Sequence, residues 1–332
     1  MGEVMNRLSQ PNLEPAPAFE GRSTLDDARP FSRRKSGLCQ PVSGLSQLSA
    51  IVLLGGAVGR SAFRAALDRA IVDLPVEAGR TVLTQWLDHC ASLAQSIPTQ
   101  SLPVRLLVDH SAQLPQIQGR SHATLNFSVE RDPSEFRGTG GLLRDIAHGY
   151  GEDDYLLVAN AVQLLREPLT VLAEDLFAQS APVVVVSHVD GTPSGIMLVK
   201  CGCLREIPEI GFVDMKEQGL GMIARRHTVK VLERSTPTAL PIRTYVNYLA
   251  ALRQIHRPSD SQAKHEDWER TFAIVEEGAE VAAGSTIHDS VVLRGGRVEK
   301  GAVVINSVVC AGGVVRKGQI VTDELVKGQG RR

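Results

Sequence analysis

The 332-residue chain has little cysteine, and its cysteines are not arranged to pair or to bind a metal. There are five, an odd number, and no two are spaced as CxxC. Such a scattered set is typical of reduced thiols in an intracellular protein and argues against a disulfide framework or a zinc site. We interpret Cys201-Gly202-Cys203 as part of a strand with alternating faces. The five are Cys39, Cys90, Cys201, Cys203 and Cys310.

Long hydrophobic runs and an excess of charge of one sign are also absent. No segment approaches the 18 apolar residues of a membrane-spanning helix, and the N-terminal residues include no apolar signal core. Acidic and basic residues are interspersed and nearly balanced, at 37 and 36. This balance indicates neither a nucleic-acid footprint nor an anionic membrane surface. We therefore expect a cytoplasmic protein that binds neither nucleic acid nor membrane.

Two common catalytic motifs are missing as well. The nine histidines include no HxxH or HExxH spacing, so the sequence gives no support to metal-dependent hydrolysis. Ser61 and Ser194 lack the GxSxG frame of a serine nucleophile. The residue pattern by itself predicts no metal site.

The clearest feature that the sequence does contain is a 17-residue repeat near its C-terminus. Residues 290–306 and 307–323 are identical at nine positions, and a weaker copy precedes them. A repeat of this size indicates stacked units that cannot bury their apolar faces alone. Valines and glycines at regular steps predict a β-helix of about three coils over 271–326, with inward valines and glycines at turns. An ordinary β-meander is the alternative.

The part of the chain before this repeat has the pattern of an α/β domain. Continuous apolar runs predict parallel strands buried on both faces, and helix-like stretches lie between them. This alternation implies βαβ units and a mainly parallel, Rossmann-like sheet with helices on both faces. Strands are expected at 50–54, 104–108, 155–159 and 183–186, and helices at 80–96, 141–148, 168–179 and Tyr245–His256.

These patterns divide the chain into five parts. Residues 1–46 carry Pro, Ser, Gln and mixed charge, which is typical of a disordered tail. We expect the α/β domain over 47–256, a polar linker over 257–270, the β-helix over 271–326 and a short tail over 327–332. The β-helix is expected to pack against the α/β domain or against a second subunit.

Four segments occur in the order found in one enzyme family. They are IVLLGGAVGRS from Ile51, LPVEAGRTVLTQWLDH from Leu74, GTGGLLRD from Gly138 and DDYLLVANAV from Asp153. In these segments the chain resembles the sugar-1-phosphate nucleotidylyltransferases, or NDP-sugar pyrophosphorylases, such as mannose-1-phosphate guanylyltransferase. GFVDMKEQ from Gly211 is similar to bacterial members. The resemblance implies a nucleotidyltransferase-like domain, a left-handed β-helix, and a nucleotide or NDP-sugar as ligand.

The resemblance also implies particular site residues. The nucleotide loop would use Gly55, Gly56 and Arg60, and Arg60 is the best candidate for a catalytic group, although Val58 and Gly59 depart from the family pattern. The loop could equally be a tight strand-to-helix turn without a ligand. The base-recognition turn would hold a base through backbone amides or simply begin a helix, and its threonine would bind the base or cap that helix. Its residues are Gly138, Thr139, Gly140 and Gly141.

The chain departs from the family where charge is needed. The family reaction displaces pyrophosphate at the α-phosphorus of a nucleoside triphosphate, which requires cations between two anions. The resemblance places a lysine at Ile71 and one Mg²⁺-binding aspartate at Val162, and the region of the second, 233–245, contains no aspartate. A sugar-contacting EKP motif has no counterpart between Val186 and Gly195. We therefore expect weak or absent catalysis.

Two kinds of function remain open from the sequence. One is an active transferase that moves a nucleoside monophosphate to a sugar-1-phosphate with Mg²⁺, in which other charged residues take over. The other is a non-catalytic relative that binds a nucleotide or NDP-sugar, or an assembly subunit that forms homo- or hetero-oligomers through the β-helix. The missing charges favour the second. The residues that would take over in an active enzyme are Arg60, Arg69, Asp109 and Asp145.

Overall fold

The computed structural model describes residues 44–56, 62–98, 101–110, 112–116, 124–132, 137–256 and 272–328. The chain divides into two compact units, Met1–Gln40 and Pro41–Arg332, and every described residue belongs to the second. The predicted linker over 257–270 lies outside the described residues, as do Val58, Gly59 and Arg60. So do all but the last three residues of the predicted tail over 1–46.

The described part before residue 257 alternates strands with helices. Short 3₁₀ turns lie at Leu45–Gln47 and Ile71–Asp73, and a π-helical turn lies at Met215–Gly219. The strands are β1 (Leu48–Leu54), β2 (Pro75–Glu77), β3 (Arg80–Thr81), β4 (Leu102–Val108), β5 (Leu125–Arg131), β6 (Tyr155–Asn160), β7 (Gln163–Leu165), β8 (Val183–His188), β9 (Pro193–Lys200), β10 (Val229–Arg234) and β11 (Ala239–Pro241). The α-helices are α1 (Ala62–Ala66), α2 (Val82–Gln95), α3 (Gly138–Ala147), α4 (Leu169–Ala178), α5 (Cys201–Leu204), α6 (Leu220–Ala224) and α7 (Tyr245–His256).

Seven of these strands form one sheet in the order β10-β8-β9-β6-β1-β4-β5. β1 pairs in parallel with β4 and β6, β4 with β5, and β10 with β8. β9 runs antiparallel between β8 and β6. The interior strand β1 has an apolar run from Ala50 to Leu54 because both of its faces are covered, and Ile51, Val52 and Leu53 are 0% exposed. This confirms the predicted α/β fold with a mainly parallel sheet.

Helices cover both faces of the sheet. Successive residues of β1 point to opposite faces, so Ile51 joins one apolar cluster and Val52 joins the other. The first cluster includes α2, α4 and α7, and the second includes α3, α5 and α6. A capping box, in which Thr81 and Thr84 bind each other's backbone amides, begins α2. None of the described helices is both long and apolar enough to cross a bilayer.

Three strands of the sheet, β5, β9 and β10, are not among those predicted. β5 and β10 lie at the two edges of the sheet, and their residues are mostly half-exposed or exposed. Continuous apolar runs mark only strands that are buried on both faces, so a search for such runs finds the centre of the sheet and passes over its edges. β9 contains Pro193 and Gly195, which are unusual inside a strand.

The predicted strand at Cys201-Gly202-Cys203 is wrong, because these residues begin α5. The chain turns after β9, where the Cys201 amide donates to the Asp154 carbonyl at 2.8 Å and the Gly202 amide donates to the Glu152 carbonyl at 3.0 Å. Both thiol residues are buried in the same apolar cluster, so they do not alternate between two faces.

Residues 272–328 form a stack of parallel coils. Pairing partners are one repeat apart, since Ile287 pairs with Val304 and Val304 with Val321. This confirms the β-helix and rules out the β-meander, while the left-handed sense stays a prediction. The strands are β12 (Ala273–Val275), β13 (Glu280–Val281), β14 (Thr286–His288), β15 (Ser290–Val292), β16 (Arg297–Val298), β17 (Val303–Ile305), β18 (Val308–Val309), β19 (Val314–Val315), β20 (Ile320–Thr322) and β21 (Leu325–Val326).

Valines fill the inside of the coils and glycines form their turns, as predicted. The inward side chains form one apolar cluster that includes Val292, Val298, Val304, Val309, Val315 and Val321. The turn glycines have positive φ angles, which a side chain disfavours. They are Gly278, Gly284, Gly295, Gly301, Gly312 and Gly318.

Replacing an inward valine with aspartate should unfold the coil stack. Val298 is 1% exposed, so Val298→Asp buries an unpaired carboxylate, and we expect a loss of several kcal/mol in the free energy of unfolding. The matched control is Val314→Asp, since Val314 is 44% exposed on the outside of the next coil. Urea denaturation measures both, and equal stability of the two variants would contradict this assignment of inner and outer positions.

The sheet β12-β15-β18-β21 is apolar on both faces. Val292 and Val309 point into the coil stack, whereas Val291 and Val308 join the apolar cluster of the α/β domain. The β-helix therefore packs against its own α/β domain, which confirms one of the two predicted arrangements. Packing against a second subunit stays a prediction.

Polar contacts from residues near the two sequence ends of the α/β domain reinforce the junction between this domain and the β-helix. Arg69 Nη1 lies 2.7 Å from Glu276 Oε2 in the first coil, and both side chains are largely buried. On α7, Arg253 binds Asp289 at 2.6 Å and also binds Asn306. Asp289 and Asn306 occupy the same turn in successive coils, and both have positive φ angles.

Asp73 is a buried carboxylate at this junction, and it should make stability depend on pH. It is 6% exposed and accepts hydrogen bonds from the Gln116 amide at 3.1 and 3.2 Å. Burial raises the pKa of Asp73 from 3.8 to about 6. The folded chain therefore holds the proton more tightly than the unfolded chain, so the free energy of unfolding falls as pH rises through this window.

Asp73→Asn removes that ionisation. We expect the variant to be more stable than the wild type at pH 7, by up to about 3 kcal/mol, and the difference to shrink as pH falls from 6 towards 4. Urea denaturation of both proteins across this range measures it. A stability difference that stays constant from pH 4 to pH 7 would contradict the assignment.

Candidate functional site

The strand order reverses between β1 and β6. From β1 the chain runs outwards to β4 and β5, and it then returns to the other side of β1 to form β6. In open α/β sheets, ligands bind outside the carboxyl ends of the strands at such a switch point. Gly55 and Gly56 follow β1 here, and Asn160 ends β6. The Ala161 amide donates to the Leu54 carbonyl at 2.9 Å, which ties the two strand ends together.

Gly55 and Gly56 of the predicted nucleotide loop lie against the end of β4. The Gly55 amide donates to the Leu107 carbonyl at 2.8 Å. A Cβ on Gly56 would lie 2.5 Å from Oδ1 of Asp109, so this carboxylate sits directly beside the loop. Arg64 of α1 approaches the same carboxylate, with 3.4 Å between Nη1 and Oδ2. Arg60 lies outside the described residues, and its role stays a prediction.

The glycine-rich segment 138–141 forms the first turn of α3, and the backbone of Val213 packs directly against it. The Gly140 amide donates to the Val213 carbonyl at 2.8 Å, and the Val213 amide donates to the Arg137 carbonyl at 2.9 Å. A Cβ on Gly138 or Gly140 would lie 2.4 or 2.9 Å from the Val213 oxygen. The helix therefore begins at Gly138, and the prediction that it begins after this turn is wrong. Two motif segments, GTGGLLRD and GFVDMKEQ, meet at this point.

Thr139 does not cap α3. Its Oγ1 accepts a hydrogen bond from the Met215 amide at 2.9 Å and lies 3.3 Å from Oδ2 of Asp214. The residue in the N-cap position is Arg137, which makes no side-chain capping bond. The hydroxyl instead holds the turn at 214–215 against the helix, because α3 already begins one residue earlier. Binding of a base by Thr139 stays a prediction, as does a ligand role for Gly141.

The residues predicted to take over charge roles are dispersed. Asp145 forms ion pairs with Arg137 and Arg144, so its charge is already neutralised. Arg69 pairs with Glu276 of the β-helix and with its neighbour, which directs it to the domain junction. Of the described candidates, Asp109 is the one that lies beside the nucleotide loop, next to Gly56.

Val162, the position that the resemblance gives to one Mg²⁺-binding aspartate, contacts the region in which the second aspartate would lie, and the contact is apolar. The Ile242 amide donates to the Val162 carbonyl at 3.0 Å, so the segment 233–245 does reach the end of β6. Val162 is 6% exposed and Ile242 is 0% exposed. Across the described residues, no group of three or more His, Cys, Asp or Glu side chains could hold a metal ion. Mg²⁺ requires oxygen ligands, so the residues here do not fit it.

The region in which the resemblance would place the sugar-contacting motif forms a tight hairpin. β8 and β9 are joined by residues 189–192, and Ser187 pairs with Pro193 across the turn. Asp190 Oδ1 accepts the Thr192 amide at 2.9 Å, which closes the turn. The shortening of a sugar-contacting region stays a prediction.

Two structural features near the switch point are not predicted from the sequence. One is the Val213 backbone, which fills the space beside Gly138 and Gly140. The quoted segment GFVDMKEQ contains this valine, but nothing in the pattern pairs it with α3. The other is Gln163, a buried polar residue three positions beyond Asn160. A single glutamine carries no motif signal.

Neither a protein-family model nor a curated protein matches this sequence. Solved structures that superpose on part of it include HddC from Yersinia pseudotuberculosis, at 13% identity and a TM-score of 0.47, over 63% of this chain and 100% of that chain. HddC complexed with GMP-PN gives 13% identity and a TM-score of 0.45 over the same shares. A candidate glucose-1-phosphate thymidylyltransferase from Bacillus anthracis, in complex with a sucrose, gives 12% identity and 0.46 over 62% of this chain and 94% of that chain. Likeness at this level carries no argument about function.

Gly138→Ala tests whether the glycine accommodates Val213. Gly138 has a φ of +68°, which costs an L side chain about 1–2 kcal/mol, and the clash with the Val213 carbonyl adds to this. We expect the free energy of unfolding to fall by about 2 kcal/mol or more. Gly221→Ala in α6 is the control, because its added Cβ meets nothing within 4 Å and should stabilise the helix by about 0.5–1 kcal/mol. Wild-type stability for Gly138→Ala would contradict the close contact.

Proposed function

We propose that this chain is a sugar-phosphate nucleotidyltransferase-like protein of nucleotide-sugar metabolism that binds a nucleotide or NDP-sugar, with weak or lost catalysis. The sequence resemblance supplies the class of ligand. The strand reversal at β1 and β6 supplies a place for it, with Gly55, Gly56 and the first turn of α3 around it.

The observation that carries the proposal is the meeting of these two glycine-rich segments at one edge of the sheet. α3 packs on β1 and β6, where Leu143 and Ile146 share an apolar cluster with Val52 and Val158. The helix follows β5 and precedes the parallel strand β6, so its N-terminus lies at the carboxyl edge, as Gly55 does. Backbone amides that a helix N-terminus and a glycine loop leave free favour anionic ligands such as phosphates, whereas the Gly140 amide is already bound to the Val213 carbonyl.

The absence of catalysis is proposed from the side chains around this edge. Removing one charged group from such a site costs about 3–4 kcal/mol of barrier. Here the lysine position is Ile71, one aspartate position is Val162, and the region of the second, 233–245, contains no aspartate. With all three charges missing, little remains to neutralise a triphosphate and its leaving pyrophosphate.

A thermal-shift panel tests the proposal on the full chain. Nucleoside triphosphates and NDP-sugars are each added with and without Mg²⁺. We expect at least one NDP-sugar to raise the Tm equally in both conditions, because no Mg²⁺ ligands are expected here. A ligand at about a hundred times its Kd stabilises by roughly 2.7 kcal/mol, which is a measurable shift. Pyrophosphate release with the matching triphosphate and sugar phosphate is expected at background.

The other outcomes discriminate between the remaining possibilities. A Mg²⁺-dependent shift with a triphosphate, followed by pyrophosphate release, would show an active transferase and contradict the loss of catalysis. No shift with any nucleotide or NDP-sugar would contradict ligand binding and leave assembly through the β-helix as the function.

A further inference from the structure

A buried amide without a partner lies next to the switch point. Gln163 is the first residue of β7, three positions beyond the end of β6, and it is 4% exposed. Within the described ranges, its Nε2 is buried and has no hydrogen-bond partner. Leaving a buried donor unsatisfied costs about 1–3 kcal/mol, so most such groups in folded proteins are paired. This exception calls for a physical reason.

The backbone of Gln163 is held in a fixed position. The indole Nε1 of Trp86, from α2, donates to the carbonyls of Gln163 and Ala161 at 3.0 and 3.1 Å. Trp86 is 1% exposed, and the Ala161 amide is bound to the end of β1. The side chain therefore extends from a rigid point at the carboxyl edge of the sheet.

The side-chain amide of Gln163 faces Gly195 in β9. A Cβ on Gly195 would lie 3.9 Å from both Nε2 and Oε1 of Gln163, and 3.2 Å from the Cβ of Asn160. The space beside this glycine is thus bordered by two uncharged amide side chains. Asn160 Oδ1 accepts the Val162 amide at 2.9 Å, and the buried donor without a partner is Nε2 of Gln163.

A second glutamine with a buried, unpaired side-chain atom lies away from the switch point. Gln85 on α2 also has a buried atom, Oε1, without a partner among the described residues. Its Nε2 lies 3.5 Å from the carbonyl of Leu165, at the other end of β7. Like Gln163, Gln85 therefore has a buried polar atom without a partner, but it does not lie at the switch point. This makes Gln85 the matched control.

We propose that Gln163 is a specificity-determining residue that donates a hydrogen bond to a hydroxyl group on the sugar of a bound NDP-sugar. The inference rests on the proposed function. A neutral hydroxyl suits this place better than a phosphate, because both neighbouring amides are uncharged and Val162 is apolar. A site with such a donor rejects a ligand that lacks the hydroxyl, since the buried donor then stays unpaired.

Gly195 lets the amide reach a ligand. Nε2 is shielded from solvent in the unliganded chain, so binding includes a reorientation of the Gln163 side chain towards the switch point. The missing side chain at position 195 leaves this place open, because a Cβ there would lie 3.9 Å from both Nε2 and Oε1 of Gln163 and so in van der Waals contact with the amide.

The test compares Gln163→Met with Gln85→Met in the full chain. Methionine keeps the volume and removes the amide, so both variants should have a higher Tm than the wild type without ligand. Calorimetric titration uses the glucose conjugates of UDP, ADP, GDP, CDP and dTDP, and the corresponding nucleoside diphosphates. We expect Gln163→Met to bind the preferred conjugate about three- to tenfold more weakly, with unchanged affinity for its diphosphate. Gln85→Met should bind both like the wild type.

Each other outcome contradicts a stated part of the argument. Wild-type affinity of Gln163→Met for the conjugate would overturn the inference, and equal weakening for conjugate and diphosphate would overturn the assignment to the sugar. Gln163→Leu is the second variant if methionine impairs folding, with the same expectations. If the wild type binds neither conjugates nor diphosphates, the proposed function itself is wrong, and this inference fails with it.

Discussion

The burial of both faces of the sheet β12-β15-β18-β21 determines how the parts of the chain are arranged. Because the repeat has a constant length, equivalent residues of successive coils point the same way. Val291 and Val308 face the α/β core, and Val292 and Val309 face the interior of the coil stack. A coil stack separated from the α/β domain would expose this outer row of apolar side chains to water. The β-helix is therefore one wall of the α/β core, and the ion pairs of Arg69 and Arg253 fix its position.

The edge that would bind a ligand combines retained backbone features with altered side chains. Gly55, Gly56 and the first turn of α3 keep the backbone close to the end of the sheet. Val162 and Ile242, by contrast, form a buried apolar contact just beyond the end of β6. A carboxylate in place of Val162 would lie against this apolar neighbour and pay a desolvation cost.

Much of the fold could be predicted because its signals are local. A strand buried on both faces is apolar along its whole length, so β1, β4, β6 and β8 are visible in the sequence, and the repeat shows the coils directly. The edge strands β5 and β10 have no such run, because one side of each is open to solvent. The turn into α5 depends on carbonyls of residues 152 and 154, about fifty positions away, and no local pattern contains that information.

The candidate site was harder to predict because its meaning depends on contacts between distant segments. A glycine at position 138 or 140 fits a helix start, a phosphate site or a close approach of backbone, and the structure shows the helix start and the close approach of the Val213 carbonyl. Gln163 looks like any polar residue until its burial beside Gly195 shows an unpaired donor. A motif specifies residue types along the sequence, whereas the presence of a hydrogen-bond partner for a buried polar atom depends on all of its neighbours in space. An unsatisfied buried group is therefore information that the sequence alone does not provide, and its position beside the switch point distinguishes Gln163 from Gln85.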